Sequence, residues 1–352
     1  MRSFGDIEKT FAGMPAHLGV VLGRVDVGKG REELYQDQLP ELLRSLADQT
    51  RVESIRASVA IEGVEVPPQR AERLVAPEPP RFRNRNEKEF AGYRDAIDAL
   101  MRADHLDPPT PALMLHLHRQ LYAHTRVTGG RLKKEDNVIS KRDERGMRSV
   151  IFEPPAWQQT EGLIQGLFGG YQDAVESEAA HPLVLLAAFI VDLLAIHPVE
   201  DGNGRVARLL TTHELLRFGY GVARYVSIEQ RIYETKNAYY NALEESQRGW
   251  NDAEHTVWPW TEYLVSVVAQ CYEDFENRVA AARGSESMSK TERVRHWVMN
   301  AAPREFRLAD VRKAVPGVSD PTIRLALRSL REDDKLESRG SGPGATWRRL
   351  DG

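Results

Sequence analysis

The sequence predicts a mainly α-helical protein interrupted by two short β-structured stretches. Apolar residues recur three and four apart over 40–61 and 87–101, and 183–196 is apolar apart from Asp192, which is the patterning of buried helix faces. β-prone residues pair up in two places: Val138-Ile139 with Val150-Ile151-Phe152, and Leu336-Glu337-Ser338 with Thr346-Trp347-Arg348. Charge is distributed unevenly. Residues 289–352 carry 14 Lys+Arg against 9 Asp+Glu, a net of +5, which leaves −9 for the rest of a chain whose total is −4. The C-terminal end is therefore expected to be a separate domain.

At 352 residues the chain is long enough for two or three domains, and 41% hydrophobic content supplies a sizeable core. The net charge gives no global attraction to nucleic acid. The one cysteine, Cys271, lies among Val267, Val268 and Tyr272. It excludes an intrachain disulfide, fits a reducing compartment and reads as a packed core thiol. No apolar run reaches the ~18 residues of a membrane span, and the N-terminus has no signal-like apolar region. A cytoplasmic protein without a membrane partner is expected.

The first 105 residues read as mostly helical. Gly23-Arg24-Val25-Asp26-Val27-Gly28-Lys29-Gly30 spells most of a P-loop. Gly30 replaces the hydroxyl residue that would hold Mg²⁺, and no βαβ pattern surrounds it. After a weak strand over 18–22, this stretch reads as a flexible basic turn. A helix follows from Pro40 to Ile61, with Pro at its first turn and Gly63 as its stop. Glu62 continues the apolar face of Ile55 and Val59, at a helix end whose dipole disfavours an anion. From these residues alone it reads as a frayed, solvated glutamate or, if held, as a carboxylate that needs a cation to meet. Residues 77–86 read as a connector, and helices are expected over 87–101 and 113–122. Residues 138–152 read as a hairpin around the charged loop 141–148.

After the buried helix ending at Ile196 comes His197-Pro198-Val199-Glu200-Asp201-Gly202-Asn203-Gly204-Arg205-Val206-Ala207-Arg208. A polar, Gly-rich turn opens a second helix here. Free N–H groups at a helix start attract anions, and glycine lets the backbone approach them. Arg205 and Arg208 share a helix face, and His197 stands where a base could sit beside a bound phosphate. That second helix is expected to continue over 209–218 until Gly219, with further helices over 232–243 and 258–283.

This stretch resembles the Fic-family signature H-x-F-x-[DE]-G-N-G-R-x-x-R, with Val199 in place of Phe as the one departure. A smaller apolar residue there predicts a looser loop. The resemblance implies a Fic-type helical core with a β-hairpin flap over the site, and transfer of AMP from ATP to a Ser, Thr or Tyr hydroxyl of a target protein. It implies His197 as general base and Asp201 as the Mg²⁺ ligand. Gly202, Asn203, Gly204, Arg205 and Arg208 are implied to bind phosphate, and Tyr240 to border the nucleotide. Ser58-Val59-Ala60-Ile61-Glu62-Gly63 is similar to the family's inhibitory motif [ST]-x-x-x-E-[GN]. It implies that Glu62, with Ser58, restrains the enzyme by pairing with Arg208. Transfer of another nucleotide, or removal of AMP, are alternatives on the same fold. Gly204 argues against the kinase-like branch, which has Lys there.

Residues 290–350 resemble a winged helix, with Arg324 and Arg328 one turn apart on its third helix and Arg339, Arg348 and Arg349 flanking the wing. DNA binding and protein docking stand as equal alternatives for this domain. A DNA-binding regulator with the Fic core as sensor is accordingly the rival of another class, and a homodimer is left open. The expected organisation is an N-terminal helical region over 1–105 with the inhibitory helix, a catalytic core over 106–283, a linker over 284–289 and the winged-helix domain over 290–352.

Overall fold

A computed structural model describes residues 2–142, 148–286, 289–315, 317–340 and 345–350. Most of the loop expected over 141–148 and parts of the expected linker, third-helix turn and wing tip lie outside the described residues. The chain divides into two compact units, Met1–Glu276 and Asn277–Gly352.

The first unit begins with α1 (Ile7–Phe11), α2 (Ala16–Gln38), α3 (Pro40–Ile61), α4 (Pro68–Leu74), α5 (Arg85–Arg102) and α6 (Pro111–Leu121). A hairpin of β1 (Ile139–Arg142) and β2 (Arg148–Phe152) follows, then α7 (Thr160–Glu176), α8 (Pro182–Ile196), α9 (Asn203–Arg217), α10 (Ile228–Glu234), α11 (Lys236–Gln247) and α12 (Trp258–Glu286). The hairpin strands are antiparallel, with Ser140 opposite Val150 and an irregularity after Ile139. Helix α8 is the centre of the core: every residue from Leu183 to Ile196 is buried. It packs against α7 and α9, while α3 packs against α10 and α5. Among the described residues no helix is long and apolar enough to cross a membrane.

The P-loop-like stretch is neither strand nor turn but the middle of α2. Leu18, Leu22, Val25 and Glu32 form its buried face, at the three- and four-residue spacing of a helix. Gly28 is required by packing rather than by a phosphate: a Cβ there would come within 2.7 Å of the Tyr272 ring. Glu32 accepts from the Tyr272 hydroxyl at 2.9 Å, and burial pushes its carboxyl up to about 7. Residues 228–247 form two helices broken at Thr235 rather than one, and α7 was not anticipated.

The second unit takes in the C-terminal end of α12, which continues to Glu286, and then α13 (Lys290–Asn300), β3 (Glu305–Arg307), α14 (Leu308–Ala314), α15 (Asp320–Glu332), β4 (Leu336–Arg339) and β5 (Thr346–Arg349). The three strands form an antiparallel sheet in the order β3-β5-β4. Strand β3 escaped sequence reading because three residues carry no usable period. Ser289 and Glu292 form a capping box at the start of α13. Val294, Val298, Phe306, Val311, Ile323 and Leu327 make the core of this unit. Arg324 and Arg328 are exposed on α15. Arg349 is used internally instead, donating to the Met299 carbonyl at 3.1 Å near the end of α13.

Candidate functional site

The site forms where α8 ends and α9 begins. His197 caps α8 in the left-handed region, φ 50°, a conformation that costs a non-glycine residue about 1–3 kcal/mol and persists only where its surroundings enforce it. The enforcement is visible. The Lys133 ammonium, itself buried, donates to the carbonyls of Ile196 (3.2 Å) and Pro155 (3.0 Å) and to Asn137 Oδ1 (3.0 Å). Asn137 Nδ2 in turn donates to the carbonyls of His197 (3.3 Å) and Val199 (3.2 Å).

Inside the turn, Asn203 and Val199 bond reciprocally. The Val199 N–H donates to Asn203 Oδ1 at 3.1 Å, and Asn203 Nδ2 to the Val199 carbonyl at 2.7 Å. Val199 is buried. The looseness expected from its smaller side chain is opposed by these backbone clamps, which do not depend on side-chain volume. Gly202 has φ +91°, and a Cβ there would stand 3.1 Å from the Tyr122 hydroxyl. Glycine is therefore needed for both conformation and space.

His197 Nδ1 faces the Leu194 carbonyl at 3.3 Å. A carbonyl can only accept, so Nδ1 carries the proton and Nε2 keeps its lone pair. Burial pushes the imidazole down to about 4, so the ring is neutral at ordinary pH. It is held in the tautomer of a base.

Helix α9 starts without any side-chain N-cap bond, so its first N–H groups are available to an anion. Arg205 is buried. Its Nη1 donates to Glu89 Oε2 and its Nη2 to the Tyr122 hydroxyl, both at 2.8 Å. The Tyr122 hydroxyl in turn donates to Asp201 Oδ2 at 2.8 Å. His118 accepts from the Gly130 N–H at Nδ1 and so donates from Nε2 to the Asp201 carbonyl at 3.1 Å. Asp201 is thus held at its backbone and one carboxylate oxygen, while its side chain is 61% exposed. Beside it opens a cavity of about 250 Å³ whose lining includes Tyr122, Arg131, Lys134 and Glu200.

Arg208 closes the other side. Its Nε donates to Ser58 Oγ at 2.9 Å, and its Nη2 to the Ser58 carbonyl at 3.0 Å and to Glu62 Oε1 at 2.9 Å. The cation that Glu62 needs is present, and Lys236 Nζ adds a second by donating to the Ile61 carbonyl at 2.5 Å. Buried Arg205 Nε and Arg208 Nη1 have no hydrogen-bond partner. Unsatisfied buried guanidinium N–H groups beside an uncapped helix start suit an anionic ligand.

The structure therefore gathers His197, Asp201, Gly202, Asn203, Gly204, Arg205, Arg208, Ser58 and Glu62 around one turn. Tyr240 lies half-buried on α11 with its ring 5.0 Å from that of Tyr239, and β2 packs against the same helix. The Asn203 side chain is engaged inside the loop, on the Val199 backbone. Sequence reading missed Glu89, Tyr122, His118, Lys133 and Asn137. Glu89 carries a weak signal, an acid four residues after Arg85, next to buried Phe90. The others lie at a helix end or in an aperiodic loop and carry none.

The comparisons give the class of the helical core that holds this turn. Residues 108–215 match the Fic/DOC family model, so the chain carries a Fic/DOC family domain. It is 27% identical over 137 residues to a protein named Protein adenylyltransferase Fic from Culex quinquefasciatus, covering 39% of this chain and 24% of that one. The same identity over 137 residues relates it to the protein of that name from Nematostella vectensis, of which 28% is covered. The match thus spans about a quarter of the length of these curated relatives. In fold, the chain is similar to a Fic family protein from Desulfovibrio desulfuricans G20, with TM-score 0.61, 20% identity and coverage of 96% and 97% of the two chains. It is also similar to a Fic domain containing signaling protein from Bacteroides thetaiotaomicron, with TM-score 0.60, 21% identity and coverage of 71% and 95%.

Proposed function

We propose that the protein transfers AMP from ATP to a Ser, Thr or Tyr hydroxyl of a target protein, and that Glu62 restrains it. One observation carries the reading: His197, with Nδ1–H fixed on Leu194 and Nε2 unprotonated, stands at the turn that opens the uncapped, arginine-bearing start of α9. His197 Nε2 takes the proton of the incoming hydroxyl. The hydroxyl oxygen bonds to the α-phosphorus as the bond to the bridging oxygen breaks, and pyrophosphate leaves. The N–H groups of Gly204 and Arg205, with both guanidiniums, offset the charge that develops. The relatives' printed name, adenylyltransferase, supports the same chemistry.

Mg²⁺ fits Asp201. No group of three or more potential ligand side chains occurs among the described residues, and Mg²⁺ bound with a nucleotide needs only one or two carboxylates besides phosphate oxygens. Bound there, it would neutralise phosphate charge.

Glu62 occupies Arg208, one of the two signature arginines, and would compete with a terminal phosphate for it. Ser58 holds the same guanidinium from the preceding turn of α3. In the hairpin, the exposed Val150 edge would hold a target segment by strand pairing. We read residues 290–352 as a winged helix with Arg324 and Arg328 as the anion-facing pair of α15, for DNA or for protein docking.

The test is transfer of label from ATP to protein in cell lysate. Label on the α-phosphate should be incorporated and label on the γ-phosphate should not. Incorporation of γ label alone would replace the reading with phosphate transfer.

A further inference from the structure

Helix α2 buries one face and leaves a patterned one open. Val20, Val27 and Leu34 are 60%, 55% and 61% exposed. They recur every seven residues, with Gly23 and Gly30 between them at the alternate heptad positions, where an added Cβ would meet nothing within 4 Å. The stripe lies opposite the buried face of Leu18, Leu22, Val25 and Glu32. Three large aliphatic side chains exposed on one helix in a single line are unusual for a surface, and seven-residue spacing with small residues between them is the pattern of a close helix pair.

The borders of the stripe differ in sign. Arg24 and Arg31 run along one edge, and Asp26 and Glu33 along the other, while Asp37 continues the line of Gly23 and Gly30 and ends the apolar stripe. Beside the basic edge lies an open groove between α2 and α12, lined in part by Val20, Gly23, Val27 and Gln270. Some of this charge is already engaged within the chain. Arg31 meets Glu276 at 2.8 Å while its side chain stays 53% exposed, and Asp26 accepts from the Tyr220 hydroxyl at 2.9 Å.

We propose that this face pairs with the same face of a second copy, as a parallel two-fold helix pair. The edge charges select this occupant and this direction. In a parallel pair the basic edge of one helix lies along the acidic edge of the other, and Asp26 faces Arg31 of the second copy. In an antiparallel pair each edge would meet its own sign. A two-fold pair is isologous, so one stripe serves both copies and leaves no apolar surface to propagate a filament. The stripe is about 14 residues, or roughly 20 Å, long, so the pair should be weak and concentration-dependent.

The test uses the full chain in sedimentation velocity over a concentration series. The wild type should pass from monomer to dimer, and Val27→Asp should weaken the association at least tenfold. Both ends of that comparison are interpretable because Val27 is exposed, so the variant keeps its helical circular dichroism. A monomer at every concentration, or a dimer indifferent to Val27→Asp, overturns the proposal. Direction is read with Val20→Cys. Under mild oxidation a parallel pair brings the two copies of position 20 together and gives a disulfide-linked dimer, whereas an antiparallel pair places position 20 beside Leu34 and gives none. The native Cys271 is buried and does not compete. Absence of the linked dimer overturns the parallel arrangement.

Discussion

Arg208 Nη2 donates at 2.9 Å to Glu62 Oε1, a residue 146 positions earlier in the chain. The arginine is buried, and the glutamate sits where α3 has already turned into its Gly63 stop. A carboxylate at the negative end of a helix dipole is stabilised here by a guanidinium from another helix and by Lys236 at the Ile61 carbonyl.

Removing that carboxylate should release the site. A hydrogen bond between charged groups contributes about 1.5–3 kcal/mol, so Glu62→Gly should raise the rate of α-label incorporation about ten- to hundredfold. Equal incorporation by Glu62→Gly and wild type would sink the restraint. Ser58→Ala leaves the carboxylate in place and should give a smaller rise.

His197→Ala should abolish transfer. The pH behaviour of the wild-type ring is the more specific check. Its folded value lies near 4, below the ordinary 6.5, so the unfolded chain takes up its proton first as pH falls. This group therefore has no effect on stability above pH 6.5 and lowers stability progressively between 6.5 and about 4. A ring-resonance titration should find its midpoint well below 6.5. A midpoint at 6.5 would remove the account of a buried, neutral base.

Glu89→Ala should leave the buried Arg205 with the Tyr122 hydroxyl at 2.8 Å and only the longer, largely exposed Asp201 contact at 3.4 Å. Breaking a buried pair from one side costs about 3–5 kcal/mol, readable as a lower urea midpoint. Glu89→Gln, which keeps an acceptor, should cost less. A change within error for both would show that Arg205 is not held by this pair.

Lys133→Met should loosen the His197 turn by removing the ammonium from the Ile196 and Pro155 carbonyls. The expected loss is about 1.5–3 kcal/mol for each charged contact not replaced by water. Transfer activity should fall further than stability, because the lost bonds fix where Nε2 stands. Unchanged activity at unchanged stability would exclude this role.

Gly92→Ala should destabilise the fold although alanine favours helices by about 1 kcal/mol. Its Cβ would come within 2.1 Å of the Leu121 carbonyl oxygen, a backbone atom that cannot rotate away. Gly162→Ala on α7 is the control. Open space surrounds that position, so the variant should be as stable as wild type or more so. The reverse order in thermal denaturation would contradict the close approach of α5 and α6.

The sequence by itself determined the helical class, the span of α3 from Pro40 to Ile61, the hairpin strands, the buried α8 and the turn from His197 to Arg208. These are local. Apolar spacing, a Pro at a helix start, a Gly at its end and a Gly-rich turn each act within a few residues. It also marked Glu62 as badly placed for an isolated helix, without deciding between a frayed end in water and a cation partner. What it could not determine was everything that depends on contacts across the chain. The P-loop-like stretch is helical because its buried face has a packing site, with Gly28 pressed on Tyr272. Glu89, Tyr122, His118, Lys133 and Asn137 acquired their places because folding brings α5, α6 and an aperiodic loop against the start of α9. Hydrogen bonds between such distant partners leave no period in a sequence. Their energy depends on burial and distance, and only the tertiary structure supplies both.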